Sequence, residues 1–147
     1  MKKRIVLFFI LLAFGFVSGC SIVEQRAAKL PGAEIKEKPK FFVLSLEGDK
    51  RNIALVISDE LEAMGYESDS GLKSWMPPDT DVLVTFEDRW FWDMANYMIR
   101  LNMEFRDPVT EYPLVVGESL RTSLARKSPP EMAREVLTGM FAEYEKN

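Results

Sequence analysis

The stretch DVLVTFEDRWFWDMANYMIRLNMEFRD, Asp81–Asp107, decides how this chain folds. In its second half Tyr97, Ile99, Leu101, Met103 and Phe105 alternate with Met98, Arg100, Asn102, Glu104 and Arg106. A period of two is the signature of a strand with one packed face and one wet face. By that alternation Met98 and Arg100 belong to the wet face. DVLVTFE, Asp81–Glu87, supplies an antiparallel neighbour, with the chain turning near Arg89 to Asp93. Such a sheet needs a cover on its apolar side.

Candidate covers lie on both sides of the stretch. Downstream, Asp107-Pro108-Val109-Thr110 makes a turn, and PLVVGES, Pro113–Ser119, is a third antiparallel strand that can continue toward Thr122. Gly117 within it marks a bulge or a close approach. Ser128-Pro129-Pro130-Glu131 then opens a helix. Serine at the cap, proline in the first turn and glutamate at the third position satisfy the free amides. Met132, Val136, Leu137, Met140, Phe141 and Tyr144 give that helix an apolar stripe.

Upstream, FFVLSL, Phe41–Leu46, is a strand, and Glu47-Gly48-Asp49 turns the chain. A helix over about Asn52–Met64 follows, capped by Asn52 or Asp49 and closed by Gly65. Tyr66–Ser68 is short and polar, an edge strand at best. Asp69–Thr80 reads as loop, and its Leu72, Trp75 and Met76 either fold back on the core or form a surface patch. The expected class is α+β: a mostly antiparallel sheet of four to five strands with two helices on one face, in the order β-α-β-β-β-β-α.

The first 19 of the 147 residues read as a leader, leaving 128. Lys2, Lys3 and Arg4 precede an apolar run from Ile5 to Val17, too short for an ordinary membrane span. Cys20, the only cysteine, follows Val17-Ser18-Gly19. This resembles the lipobox of bacterial lipoproteins, in which a signal peptidase reads the three preceding residues and the cysteine carries the acyl chains. The resemblance implies palmitate-type acylation of Cys20 and a membrane anchor without a protein span. Ser21 after the cysteine implies the outer membrane, with the domain facing the periplasm. Residues 20–40 are rich in Lys, Glu, Pro and Gly and read as a flexible tether, so that residues 41–147 form a single domain.

Composition excludes more chemistry than it suggests. Removing the three cations of the leader takes the formal net charge from −4 to −7, which argues against a nucleic-acid partner. There is no histidine, hence no imidazole base or ligand. The lone cysteine leaves no disulfide, and no glycine-rich nucleotide loop appears. Ser119, Ser123 or Ser128 with Lys127 lacks a positioned partner for hydrolysis. Glu87, Asp88 and Asp93, and Asp79 with Asp81, are the carboxylates that could serve acid–base work or a hard cation, although neither group has the spacing of a calcium loop. Solvated hairpin charge explains them more simply. Arg121, Arg126 and Lys127 could hold an anion at the start of the last helix or be ordinary surface charges. No catalytic residue, cofactor or metal is expected, and the chain does not read as an enzyme.

The aromatic residues point elsewhere. Trp90, Phe91 and Trp92 are consecutive, so an extended backbone sends Phe91 to the side opposite the two tryptophans. Trp, Met and Arg are typical of interfaces. Trp90, Phe91, Trp92, Met98, Arg100 and Trp75 therefore form the candidate partner-binding set, unless the loop before them covers the rings. The partner would be an envelope protein or a second copy of the chain.

Val17–Cys20, DVLVTFE and the SPPE cap together look like small outer-membrane lipoproteins of Gram-negative bacteria. The segment Phe41–Asn147 is also reminiscent of the amino-terminal domain of the periplasmic Tol-Pal propeller protein. The resemblance implies a non-catalytic binding, scaffolding or assembly module. It carries over no catalytic residues.

Overall fold

The computed structural model describes residues 23–146. The leader, the lipobox and Cys20 lie outside the described residues. Six strands, β1 (Val23–Lys29), β2 (Lys40–Leu44), β3 (Glu67–Gly71), β4 (Val82–Asp93), β5 (Ala95–Arg106) and β6 (Pro113–Arg121), form one sheet in the order β1-β6-β5-β4-β2-β3. β2 runs parallel to both β3 and β4, and the other pairings are antiparallel. Helices α1 (Ile53–Ala63) and α2 (Pro129–Glu145) pack on one face. The α+β class, the mostly antiparallel sheet and the two helices on one side match the sequence expectation.

Alternation along the strands builds the core. Phe41 and Val43, Val82, Val84 and Phe86, and Leu101, Met103 and Phe105 point toward the helices. Ile57 and Leu61 of α1 meet them, as do Met132, Val136, Leu137 and Met140 of α2. Phe41 lies 5.1 Å from Phe105 between ring centroids, and Tyr66 stacks on Phe141 at 4.6 Å. Gly117 permits the approach of α2: a Cβ there would sit 2.5 Å from Met140 Cγ and 2.8 Å from Val136 Cγ1. Close approach, rather than a bulge, is the role of this glycine.

The helix ends follow local chemistry. Asp49 Oδ2 accepts from the Ala54 amide at 3.1 Å and Oδ1 from the Arg51 amide at 3.2 Å, so Asp49 caps α1. Asn52 instead adopts φ 54°, a left-handed geometry that asparagine tolerates. Gly65, at φ 93°, ends the turn after α1. At α2, Glu131 accepts from the Ser128 amide at 2.8 Å and from its hydroxyl at 2.7 Å. That contact holds the Glu131 carboxyl below its usual range.

Three expectations need correction. The first concerns the tether. Val23–Lys29 is an edge strand, paired from Val23↔Arg121 to Lys29↔Val115. Its composition lacks an apolar stripe, but main-chain hydrogen bonds do not require one. Ala27 sits close to Gly139 of α2, Gln25 Nε2 donates to the Glu135 carbonyl at 2.8 Å, and the Lys29 ammonium lies 4.6 Å from the Tyr144 ring centroid. Further along, the Tyr144 hydroxyl donates to the Ile35 carbonyl at 2.7 Å and accepts from its amide at 2.8 Å. The segment is held to the domain by polar and backbone contacts.

The second correction is the face assignment in β5. Arg100 pairs with Arg89 and Met98 with Trp90, which leaves Ile99 without a cross-strand partner. This extra residue is a β-bulge, and it shifts the alternation by one. Met98 therefore turns into the core, 1% exposed, and Tyr97 goes to the opposite face. Arg100 does stay on the open face, where its Nε lies 3.1 Å from Glu118 Oε1. The third correction is the hairpin turn. Both strands run on to a tight reversal at Met94, φ 55°, so Trp90, Phe91 and Trp92 belong to β4 rather than to the turn.

Candidate binding site at the hairpin tip

β4 and β5 each contain 12 residues, more than their neighbours. β6 accompanies β5 no further than the Arg100↔Leu120 pair, and β2 accompanies β4 only over Val82–Val84. The last turns of the hairpin thus project past the flanking strands. Phe91 is 54% exposed, Trp92 69% and Met94 92%.

Trp90 marks the boundary between core and tip. It pairs with Met98, packs on the edge of the core, and donates its Nε1–H to Asp88. The Arg51 guanidinium covers its ring at 4.3 Å. On the opposite face Phe91 meets Tyr97 edge-on at 5.9 Å, and Arg126 lies 3.9 Å from the Tyr97 ring centroid. Arg126 also pairs with Asp93 at 3.3 Å. Two arginines thus brace the root of the hairpin, and the rings beyond them remain bare.

Trp75, the remaining tryptophan, lies elsewhere. It follows β3 in a short 3-10 turn, Lys73–Trp75, and leans on Gly71, whose absent Cβ would fall 2.9 Å from the indole. Lys73 pairs with Glu111 in the β5–β6 turn, which draws this loop over the open face. Beneath it Phe42 and Leu83 are buried on the side away from the helices. The loop therefore folds back as cover, while the Trp75 ring stays 68% exposed. Of the six candidate binding residues, the tip brings together Phe91 and Trp92. Trp90 supports them, Met98 belongs to the core, and Arg100 and Trp75 lie outside the cluster.

The carboxylates are dispersed by the same geometry. Glu87 faces Asn102 on the open side and Asp88 faces Leu101 on the helix side, so these neighbours point apart. Asp81 pairs with Lys36 and accepts from the Lys40 amide at 3.1 Å, and Asp79 pairs with Lys40 at 2.7 Å. Those lysines hold the carboxyl groups of both aspartates below the usual range. Among the described residues, no group of three or more metal-ligating side chains converges.

The cations before α2 are also engaged. Glu135, almost buried, receives Arg121 and Lys127, and Ser119 Oγ donates to it at 3.3 Å. Burial pushes the Glu135 carboxyl up, but the two cations overcome this and hold it below its ordinary value. Sequence reasoning missed this cluster because it rests on the Arg121–Glu135 juxtaposition, which only the packing of α2 over β6 creates. Along the other side, a shallow depression of about 770 Å3 runs over β1, β6 and β5, with Arg26, Asn102, Glu104 and Glu118 in its lining. Among the described residues, no helix is long and apolar enough to cross a membrane.

No protein-family model matches the chain, and no curated protein matches it by sequence. Solved structures do. The PelC dodecamer from Paraburkholderia phytofirmans superposes with a TM-score of 0.57 at 12% identity, covering 82% of this chain and 97% of that one. Its L103M variant gives 0.58 at the same identity. The chain thus shares its fold with PelC across nearly the whole of that protein. TolB from Acinetobacter baumannii shows a weaker, partial likeness: TM-score 0.40 and 16% identity over 83% of this chain and 29% of TolB. A likeness at that level carries no argument about role.

Proposed function

We propose that the chain is a lipid-anchored lipoprotein of the cell envelope that binds and assembles rather than catalyses. In this reading the leader ends at Gly19, Cys20 is acylated, and residues 23–146 form one domain on the periplasmic side of the outer membrane. The observation that carries it is the projecting hairpin, which leaves Phe91, Trp92 and Met94 bare beyond an otherwise closed core. Exposed aromatic residues on a strand pair braced at its root are suited to contact, because aromatic side chains have little freedom to lose when covered. The carboxylate alternative is weakened by the dispersal of Glu87, Asp88, Asp79 and Asp81 among separate partners.

Crosslinking of the full-length lipoprotein in its native envelope, followed by gentle solubilisation, tests the proposal. Crosslinks, to protein or to lipid, that depend on Phe91 and Trp92 and disappear in F91A/W92A while thermal unfolding is unchanged support it. A cation or small molecule retained in place of any tip contact overturns it.

Self-association is the second reading. It is favoured by the fold shared with PelC, a protein described as a dodecamer. Sedimentation of the detergent-solubilised lipoprotein that depends on concentration would separate an oligomer from a monomeric adaptor.

A further inference from the structure

The sheet has two ends, and the start of β1 and the bare aromatic residues share one of them. Val23, the first residue of β1, pairs with Arg121 at the end of β6. Leu120 in turn pairs with Arg100, and Arg100 with Arg89. The rung that carries Val23 is therefore the last one before the hairpin runs on alone. Trp92 lies roughly 7 Å beyond that rung and Met94 roughly 13 Å, at about 3.3 Å per strand residue.

From Val23 the chain leads back to Cys20 in three steps, a reach of at most about 10 Å. The hairpin tip projects from the same end by a similar length. Leu124, 76% exposed, joins this end in the 3-10 turn Ser123–Ala125 that follows β6. The opposite end of the sheet, at the β5–β6 turn, lies away from the start of β1.

We propose that the hairpin tip is a second membrane contact, with the lipid headgroup and upper acyl region as its occupant. The inference rests on the reading of Cys20 as acylated and names the partner of the tip. Phe91, Trp92 and Met94 form the apolar apex, and Arg51 and Arg126 sit behind it over Trp90 and Tyr97. An aromatic apex with arginine side chains at its root, one of them paired with Asp93, suits the bilayer interface, where indole rings settle at headgroup level. An apolar contact at the tip adds to the attachment that the acyl chains of Cys20 would supply. The tip also fixes orientation, because two contact points on one end of the domain define which end faces the lipid.

The test uses the full-length lipoprotein, produced with its leader and reconstituted into vesicles of phosphatidylethanolamine and phosphatidylglycerol. Some acyl chains are brominated near the headgroup. The expected result is flotation with the vesicles and bromine quenching of tryptophan emission that is lost in W92F. Moving the reporter to the far end, in a W75F/W90F/W92F/Y112W variant, should leave emission unquenched. Flotation with no quenching, or equal quenching in W92F, overturns the tip contact while leaving the anchor in place. Tip-to-tip crosslinks without quenching assign the tip to a second copy and overturn it as well. Failure to float overturns the lipid-anchor reading, and the tip proposal with it.

Discussion

Trp90 and Met98 face each other across the β4–β5 hairpin on the helix-covered side, with Ile99 squeezed out of the pairing beside them. That single unpaired residue decides that Met98, and not Tyr97, turns into the core. Met98→Ala should destabilise the domain by about 2–5 kcal/mol, as expected for a buried methionine. Trp92→Ala should stay within about 0.5 kcal/mol, because its ring is mostly in solvent. Urea unfolding of both variants checks the pair. Equal losses would place Trp92 in the core.

Gly117 lies under α2, where a methyl group would meet Met140 and Val136. Gly117→Ala should cost about 1–3 kcal/mol through overpacking. A second change, Met140→Ala, opens space at the same point, so the double variant should be less unstable than the sum of the two single losses. Strict additivity in a thermal or urea series would place the two residues out of contact.

Glu135 is held by Arg121 and Lys127 at the β6–α2 contact. Its folded-state carboxyl lies below the ordinary value of 4.5. The ionised form therefore contributes stability that is fully present above that value and lost as pH falls through the lower, folded one. Glu135→Gln should flatten the acid arm of the stability curve below about pH 4.5, and should leave Arg121 without its charge partner at neutral pH. Denaturation midpoints measured from pH 3 to 7 would show it. A variant whose acid arm matches the parent would assign that arm to other carboxylates.

β1 makes a prediction that the tether reading does not. The β1 amides that bond to β6 should exchange slowly with deuterium, while a solvated linker would exchange at once. Removing residues up to Leu30 should lower the unfolding midpoint, because it exposes the β6 edge and strips the Gln25 and Lys29 contacts from α2. Fast exchange together with an unchanged midpoint would return the segment to the role of linker.

Much of the fold was legible in order. The SPPE start of α2, the Gly65 stop after α1 and the alternation of Leu101, Met103 and Phe105 are local signals, and each held. What failed was non-local. Nothing in VEQRAAK announces that β6 leaves an open edge beside it, or that Gly139 leaves room for the Gln25 amide. A bulge adds a residue without changing composition, so the period of two carried Met98 to the wrong face. At the candidate site, the three aromatic residues were conspicuous. Their separation into a braced Trp90 and a bare Phe91 and Trp92 depended on how far β6 and β2 extend alongside the hairpin, which is a property of other segments.

The place of β1 also sets an order of events in biosynthesis. Gln25 bonds to a residue 110 positions further along the chain, so the strand synthesised first is among the last to find its partners. Closing so long a loop has to await β6 and α2. Until then residues 23–29 have no edge to join. Docking of β1 therefore waits for the C-terminal helix, and the sheet is completed only once the whole domain has been made.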